Sequence, residues 1–217
     1  MTPQLYTYWR SSAAYRVRLA LKLKGIEHEA VSVSLAPGES EHRQEAYRTL
    51  NPQMLVPFFD DGDVATGQSW AILEYLEEAY GEVPLLPTDS LSRAQVRSFC
   101  LSICCDIHPL NNLRVLQYLK GQMQADDEQF SAWYSHWIQE GYRSAEEFAK
   151  QHSADGRFVF GATPTLADVC LVPQTYNARR FTVALDDFPT LVAIVDSCNE
   201  LPAFKAAIPE SQPDAQT

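Results

Sequence analysis

No stretch of the 217-residue chain approaches the ~20 consecutive apolar residues that a membrane-spanning helix requires. Nor does an apolar run follow a basic start near Met1, as a secretory signal peptide would have it. Positive charge is scarce: 17 basic against 28 acidic side chains leave a formal net charge of -11. That balance excludes a nucleic-acid or anionic-membrane surface, because both need a basic face. Cysteine is sparse and odd in number. Of the five, Cys100, Cys104 and Cys105 crowd one segment, which makes a poor disulfide framework. These absences place the chain in a reducing compartment, the cytoplasm. The familiar cofactor motifs are missing as well, with no GxGxxG, no Walker phosphate loop and no HExxH. Cys100, Cys104 and His108 stand at four-residue steps, but thiols packed as small apolar groups account for them better than a metal site, and no metal is expected.

What is present begins with alternating elements. Leu5 to Trp9 has strand character, and Ser12 to Lys24 suits a helix that Gly25 stops. Val31, Val33 and Leu35 alternate with serines as a half-buried strand does. Glu39 to Leu50 holds a helical turn or two. Leu55 to Asp60 and Val64 to Thr66 flank Asp61-Gly62, a hairpin signal, and Ser69 opens a helix through Ala79. Strand-helix-strand followed by strand-strand-helix makes one small α/β domain, expected over residues 1–82. Two prolines in Val83 to Pro87 mark a linker over 83–89. Residues 90–217 read as an all-helical domain. Its pattern runs from Leu91 to Tyr118 with a break at Pro109, then Phe130 to Gln151, Thr165 to Arg179 and Thr190 to Glu200. The polar tail 209–217 is expected to be disordered.

Five constellations carry polar chemistry. Trp9-Arg10-Ser11-Ser12 lies where the first strand meets the first helix, whose N-terminus favours an anion. A serine there either caps the helix or donates to a thiolate. Val56-Pro57 opens a central strand, where a cis peptide would turn the Val56 backbone toward an extended ligand and a trans one would be an ordinary edge proline. Gln68-Ser69 at the third helix start offers donors to a carboxylate, or simply caps. Asp106 to Arg114 sets polar groups in an apolar helix, where His108 on its own is a satisfied core histidine. Thr165 and Asp168 form a capping box, a determinant of folding rather than of catalysis.

Taken together, these features resemble the glutathione transferase family from about Leu5 to about Pro209, and its zeta class in particular. The zeta signature resembles Ser-Ser-Cys followed by an Arg-Val-Arg helix, and this chain reads Ser11-Ser12-Ala13-Ala14-Tyr15-Arg16-Val17-Arg18. Asp106 to Leu116 and Leu166 to Phe181 are similar to that class too. The resemblance implies a thioredoxin-like N-terminal domain, an all-α C-terminal domain and a homodimer. It implies that glutathione lies along Val56 and Pro57, with its γ-glutamyl carboxylate at Gln68 and Ser69, its sulfur at Ser11 and Ser12, and His108 nearby. Because Ala13 stands in the signature's cysteine position, no protein thiol acts there, and activation of the sulfur falls to Ser11 with Ser12 assisting. The implied reaction is cis-to-trans isomerisation of a dicarboxylate, maleylacetoacetate to fumarylacetoacetate, by thiolate addition, bond rotation and elimination. Arg10, Arg114 and Arg180 are the arginines expected to orient the diacid, with Arg179 as the rival of Arg180. Maleylpyruvate as substrate, a general transferase acting on electrophiles, and a silent interaction module that kept only the fold are the competing readings.

Overall fold

The alternation at the start of the chain becomes strand β1, Gln4–Thr7, in the computed structural model, which describes residues 1–216. Ser11 caps helix α1, Ser12–Lys24, and Gly25 ends it with a left-handed φ of 67°, where a side chain would be strained. The expected second strand lies slightly earlier than its hydrophobic pattern, as β2, Glu29–Ser32. Val33 falls just past it, donates its N–H to Thr7 at 2.8 Å and packs with Tyr47, Val56 and Phe58 in a small core. Helix α2, Glu45–Leu50, precedes the hairpin of β3, Phe58–Asp60, and β4, Ala65–Gly67, and helix α3, Ser69–Ala79, follows it. The sheet order is β2-β1-β3-β4, with β1 parallel to β2 and antiparallel to β3.

The chain divides into two compact units, and the division differs from the one expected. Met1–Leu85 is joined by the segment from Glu200 onward, while Leu86–Asn199 forms the second unit. The expected helical domain, 90–217, thus loses its C-terminal part to the first unit. Helix α9, Pro202–Ala207, packs on α1 and buries Phe204 completely. The expected disordered tail is ordered over its described part. Pro209 is buried, and the Asp214 carboxylate accepts the Trp9 N–H at 3.0 Å. Thr217 lies outside the described residues. The Trp9 N–H, far away in sequence and not visible in the tail's own composition, helps to hold it.

The second unit is helical: α4, Ser90–Leu101, then α5, Leu113–Gly121, α6, Asp127–His152, α7, Leu166–Arg180, and α8, Pro189–Asn199. The break expected at Pro109 begins earlier, as a π-helical stretch Ser102–Ile107 and a 3-10 turn His108–Asn111. Proline has no N–H and its ring collides with the carbonyl four residues back, so the backbone leaves α geometry before reaching it. Gly141 on α6 makes room for Ile107 here, since a Cβ at that position would overlap its side chain. Nearly every residue of α7 is buried, which makes it the centre of this unit. Among the described residues no helix is long and apolar enough to cross a membrane.

Candidate functional site

Strand register decides which candidates meet. Tyr6 lies opposite Phe58, and Phe58 opposite Gly67. The residues after β1, before β3 and after β4 therefore leave the sheet at the same end. Three of the predicted segments converge there: Arg10 to Ser12, Val56-Pro57 and Gln68-Ser69.

Ser11 is the N-cap of α1, and its Oγ accepts the Ala14 N–H at 3.2 Å. Capping uses a lone pair and leaves the hydroxyl proton to donate elsewhere, so the two roles proposed for this serine do not compete. The Ala13 N–H has no partner among the described residues, and the first turn of α1 contains no acidic side chain. The positive end of the helix therefore meets no charge of its own element. Ser12 is buried as the first residue of the helix. Arg10 is exposed, with its guanidinium 4.1 Å from the centre of the Trp9 ring.

The Val56-Pro57 peptide, which the sequence leaves open, is cis. The Val56 side chain is buried, while neither its N–H nor its C=O has a partner among the described residues. The turn before it is tied down: the Tyr47 hydroxyl and the Asn51 amide both donate to the Leu55 carbonyl, at 2.7 and 2.8 Å. Burial pushes the Tyr47 hydroxyl up to about 12, so it remains a donor. Gln68 occupies a left-handed conformation at φ 64°, which costs a non-glycine residue ~1–3 kcal/mol. Its amide donates to the Gln53 side chain at 2.7 Å. Ser69 then begins α3, and its Oγ accepts from Arg16 Nη1 at 3.3 Å.

The remaining candidates belong to the second unit. His108 is only half-buried at the start of the 3-10 turn, which does not match the satisfied core histidine that the sequence alone suggests. Arg114 is exposed on the first turn of α5, and its guanidinium has no partner among the described residues. The two arginines at the end of α7 have different partners. Arg179 forms an ion pair with Asp196 of α8 at 2.7 Å. Arg180 lies 4.5 Å from the centre of the Phe181 ring, with its guanidinium near the Tyr134 hydroxyl. Tyr134 itself stacks on Phe181 at 3.9 Å between centroids. Burial pushes the Tyr134 hydroxyl well up, and the nearby guanidinium pulls it partly back.

Sequence reasoning missed Tyr47, Asn51 and Gln53 as supports, and passed over Arg16 as part of a basic island. A signal for Arg16 was available. Residues two apart on a helix point ~200° from each other, so on a helix with a single solvent face Arg16 and Arg18 cannot both reach solvent.

Residues 5–84 match the family model of the glutathione S-transferase N-terminal domain. A probable maleylacetoacetate isomerase from Vibrio cholerae is 46% identical, over 97% of this chain and 97% of its own. A solved holo maleylpyruvate isomerase, described as a bacterial zeta-class glutathione S-transferase, superposes with a TM-score of 0.94 at 45% identity, over 98% of this chain and 100% of its own. The maleylacetoacetate isomerase of Anaeromyxobacter dehalogenans, solved with glutathione in its active site, gives a TM-score of 0.88 at 40% identity, over 99% of this chain and 98% of its own.

Proposed function

The chain belongs to the zeta class of the glutathione S-transferase family, and on that premise we propose that it is a glutathione-dependent cis-trans isomerase converting maleylacetoacetate to fumarylacetoacetate. The observation that carries the reading is the sheet end where Ser11, Val56 and Ser69 meet. It combines a spare hydroxyl proton, an unpaired backbone N–H and C=O at Val56 and two helix N-termini, which together suit a short peptide bearing a thiolate and a carboxylate.

When bound, glutathione supplies a sulfur nucleophile for reversible addition to the conjugated double bond. Ser11 donates its hydroxyl proton to the sulfur, and Ser12 and the Ala13 N–H add the positive end of α1. Holding a thiol of ordinary pKa ~8.5 two units lower takes about 2.7 kcal/mol. One hydroxyl bond to an anion, at ~1.5–3 kcal/mol, together with a helix terminus is enough. Val56 presents its N–H and C=O to the peptide, with Pro57 fixing the chain beside it. Gln68 and Ser69 receive the γ-glutamyl carboxylate, and His108 lines the same ligand. Arg10, Arg114 and Arg180 are the arginines proposed to orient the diacid, and Arg179 pairs with Asp196.

The decisive measurement mixes the purified protein with maleylacetoacetate, with and without glutathione. Rapid formation of the trans isomer only with glutathione is expected, and no conversion in either case refutes the assignment. A second reading, maleylpyruvate as substrate, is favoured by the likeness to the solved maleylpyruvate isomerase. Comparing kcat/KM for the two acids decides between them. Replacing Arg180 with alanine is expected to raise the KM for the diacid about tenfold with kcat nearly unchanged, as loss of a binding contact does. An unaltered KM removes Arg180 from the clamp. The proposal includes a cytoplasmic homodimer, for which light scattering gives the mass in solution.

A further inference from the structure

Helix α1 buries two arginines, and their surroundings differ sharply. Arg18, 2% exposed, donates to the carbonyls of Ala207, Tyr8 and Trp9 and to the Thr7 hydroxyl. Lys24, the other buried cation of this helix, pairs with Glu77 at 2.6 Å and donates to two carbonyls. Arg16 has neither kind of provision. It is 1% exposed, its Nε and Nη2 have no hydrogen-bond partner, and its Nη1 donates only to the neutral Ser69 hydroxyl at 3.3 Å. A guanidinium is a permanent cation with five donors, and burying it without an anion is strongly unfavourable. The same helix shows in Arg18 how this fold satisfies an arginine that serves structure alone.

We infer that Arg16 is a positioning residue for the ligand carboxylate at Ser69: it fixes the Ser69 hydroxyl by donating to its oxygen and supplies from behind the positive charge that this carboxylate answers. The inference rests on the glutathione reading above and adds to it the group that makes the site selective for an anion. Ser69 Oγ accepts from Arg16, so its own proton is left to point at the ligand. The first turn of α3 has no acidic side chain, and its free N–H groups face the same charge. The guanidinium is sealed from solvent, so it acts through Ser69 and through its field, which a poorly screened interior transmits well.

The test measures binding by calorimetry rather than turnover. The two ligands are glutathione and 4-aminobutyryl-cysteinyl-glycine, the same tripeptide without its γ-glutamyl α-carboxylate. The unaltered protein is expected to prefer glutathione. In Arg16→Met that preference is expected to shrink about tenfold or more, with Arg16→Lys intermediate, because the charge stays while the reach and the planar fork are lost. Ser69→Ala is expected to shrink it as well. Arg18→Lys, a purely structural change, is expected to lower the melting temperature and leave the preference intact. If Arg16→Met does not fold, Arg16→Lys decides, and an unchanged preference in it overturns the inference. Should the unaltered protein bind glutathione yet show no preference over the truncated tripeptide, the inference fails while the glutathione reading stands. If it binds neither ligand, both fall.

Discussion

Turnover is expected to fall roughly 10- to 100-fold when Ser11 becomes alanine, the kinetic equivalent of losing one ~1.5–3 kcal/mol hydrogen bond to an anion. Glutathione affinity should change little, because the proposed assignment has the peptide held elsewhere, at Val56, Gln68 and Ser69. The substitution also removes the cap of α1, at ~0.5–2 kcal/mol of stability, so a drop in activity alone would be ambiguous. Ser11→Gly separates the two effects. Glycine is a tolerable N-cap, costing only a few tenths of a kcal/mol relative to serine. It should lose the same turnover as alanine while melting close to the parent. Stopped-flow isomerisation beside thermal melts of the three proteins makes the comparison. A glycine variant with parental turnover would move the catalytic role to Ser12.

The largest loss of stability is expected at Asp168, which no ligand need touch. Its two oxygens, fully buried, accept the Val159 N–H at 2.8 Å, the Thr165 N–H at 2.8 Å and the Thr165 hydroxyl at 3.1 Å. In Asp168→Asn one oxygen becomes an amide donor facing another donor, so a buried N–H is left unpaired. The cost is about 2–4 kcal/mol, or a melting temperature lower by roughly 5–15 °C. Thermal unfolding measures it, and a shift of under about 2 °C would show that these bonds carry little. The pH dependence has a definite sign. Burial pushes the Asp168 carboxyl up to about 6, against 3.8 for the ordinary group, with its three donors pulling the other way. Between those values the native state holds a proton that the unfolded chain has released, so raising the pH across the window favours unfolding, by about 3 kcal/mol in all. The asparagine variant lacks this slope. The stability gap between parent and variant should therefore be wider at pH 4.5 than at pH 7.5.

What could be read from the sequence was what local chemistry specifies. Helix α1 begins at Ser12 and ends at Lys24 as expected, because a serine cap and a left-handed glycine at Gly25 define it from within. Helix α3 and the Asp61-Gly62 hairpin were likewise evident from their own residues. Helix α9 was not, since six residues cannot hold a helix alone and Phe204 is stabilised by α1, far away in sequence. The early break before Pro109 was hidden for a similar reason. A proline marks where α geometry fails, while the packing of Ile107 against Gly141 settles how the backbone recovers. Of the proposed site, Ser11, Val56 and Ser69 are the members that motif and position suggest from the sequence. That Ser11 caps and still keeps a proton to donate, that Arg179 is committed to Asp196, and that Arg16 lies sealed beneath Ser69 are facts of three-dimensional pairing, which residue spacing does not encode.

The joining of α9 and Asp214 to the first unit bears on the order in which the chain can be made. As synthesis proceeds from the N-terminus at about 5–20 residues per second, α1 emerges early, with Arg18 lacking one of its acceptors and the surface for Phe204 uncovered. The Trp9 N–H likewise waits for Asp214. The half that holds Ser11, Val56 and Ser69 is thus the first to be translated and the last to be completed. Until the residues after Glu200 leave the ribosome, it carries an apolar face that a chaperone would recognise.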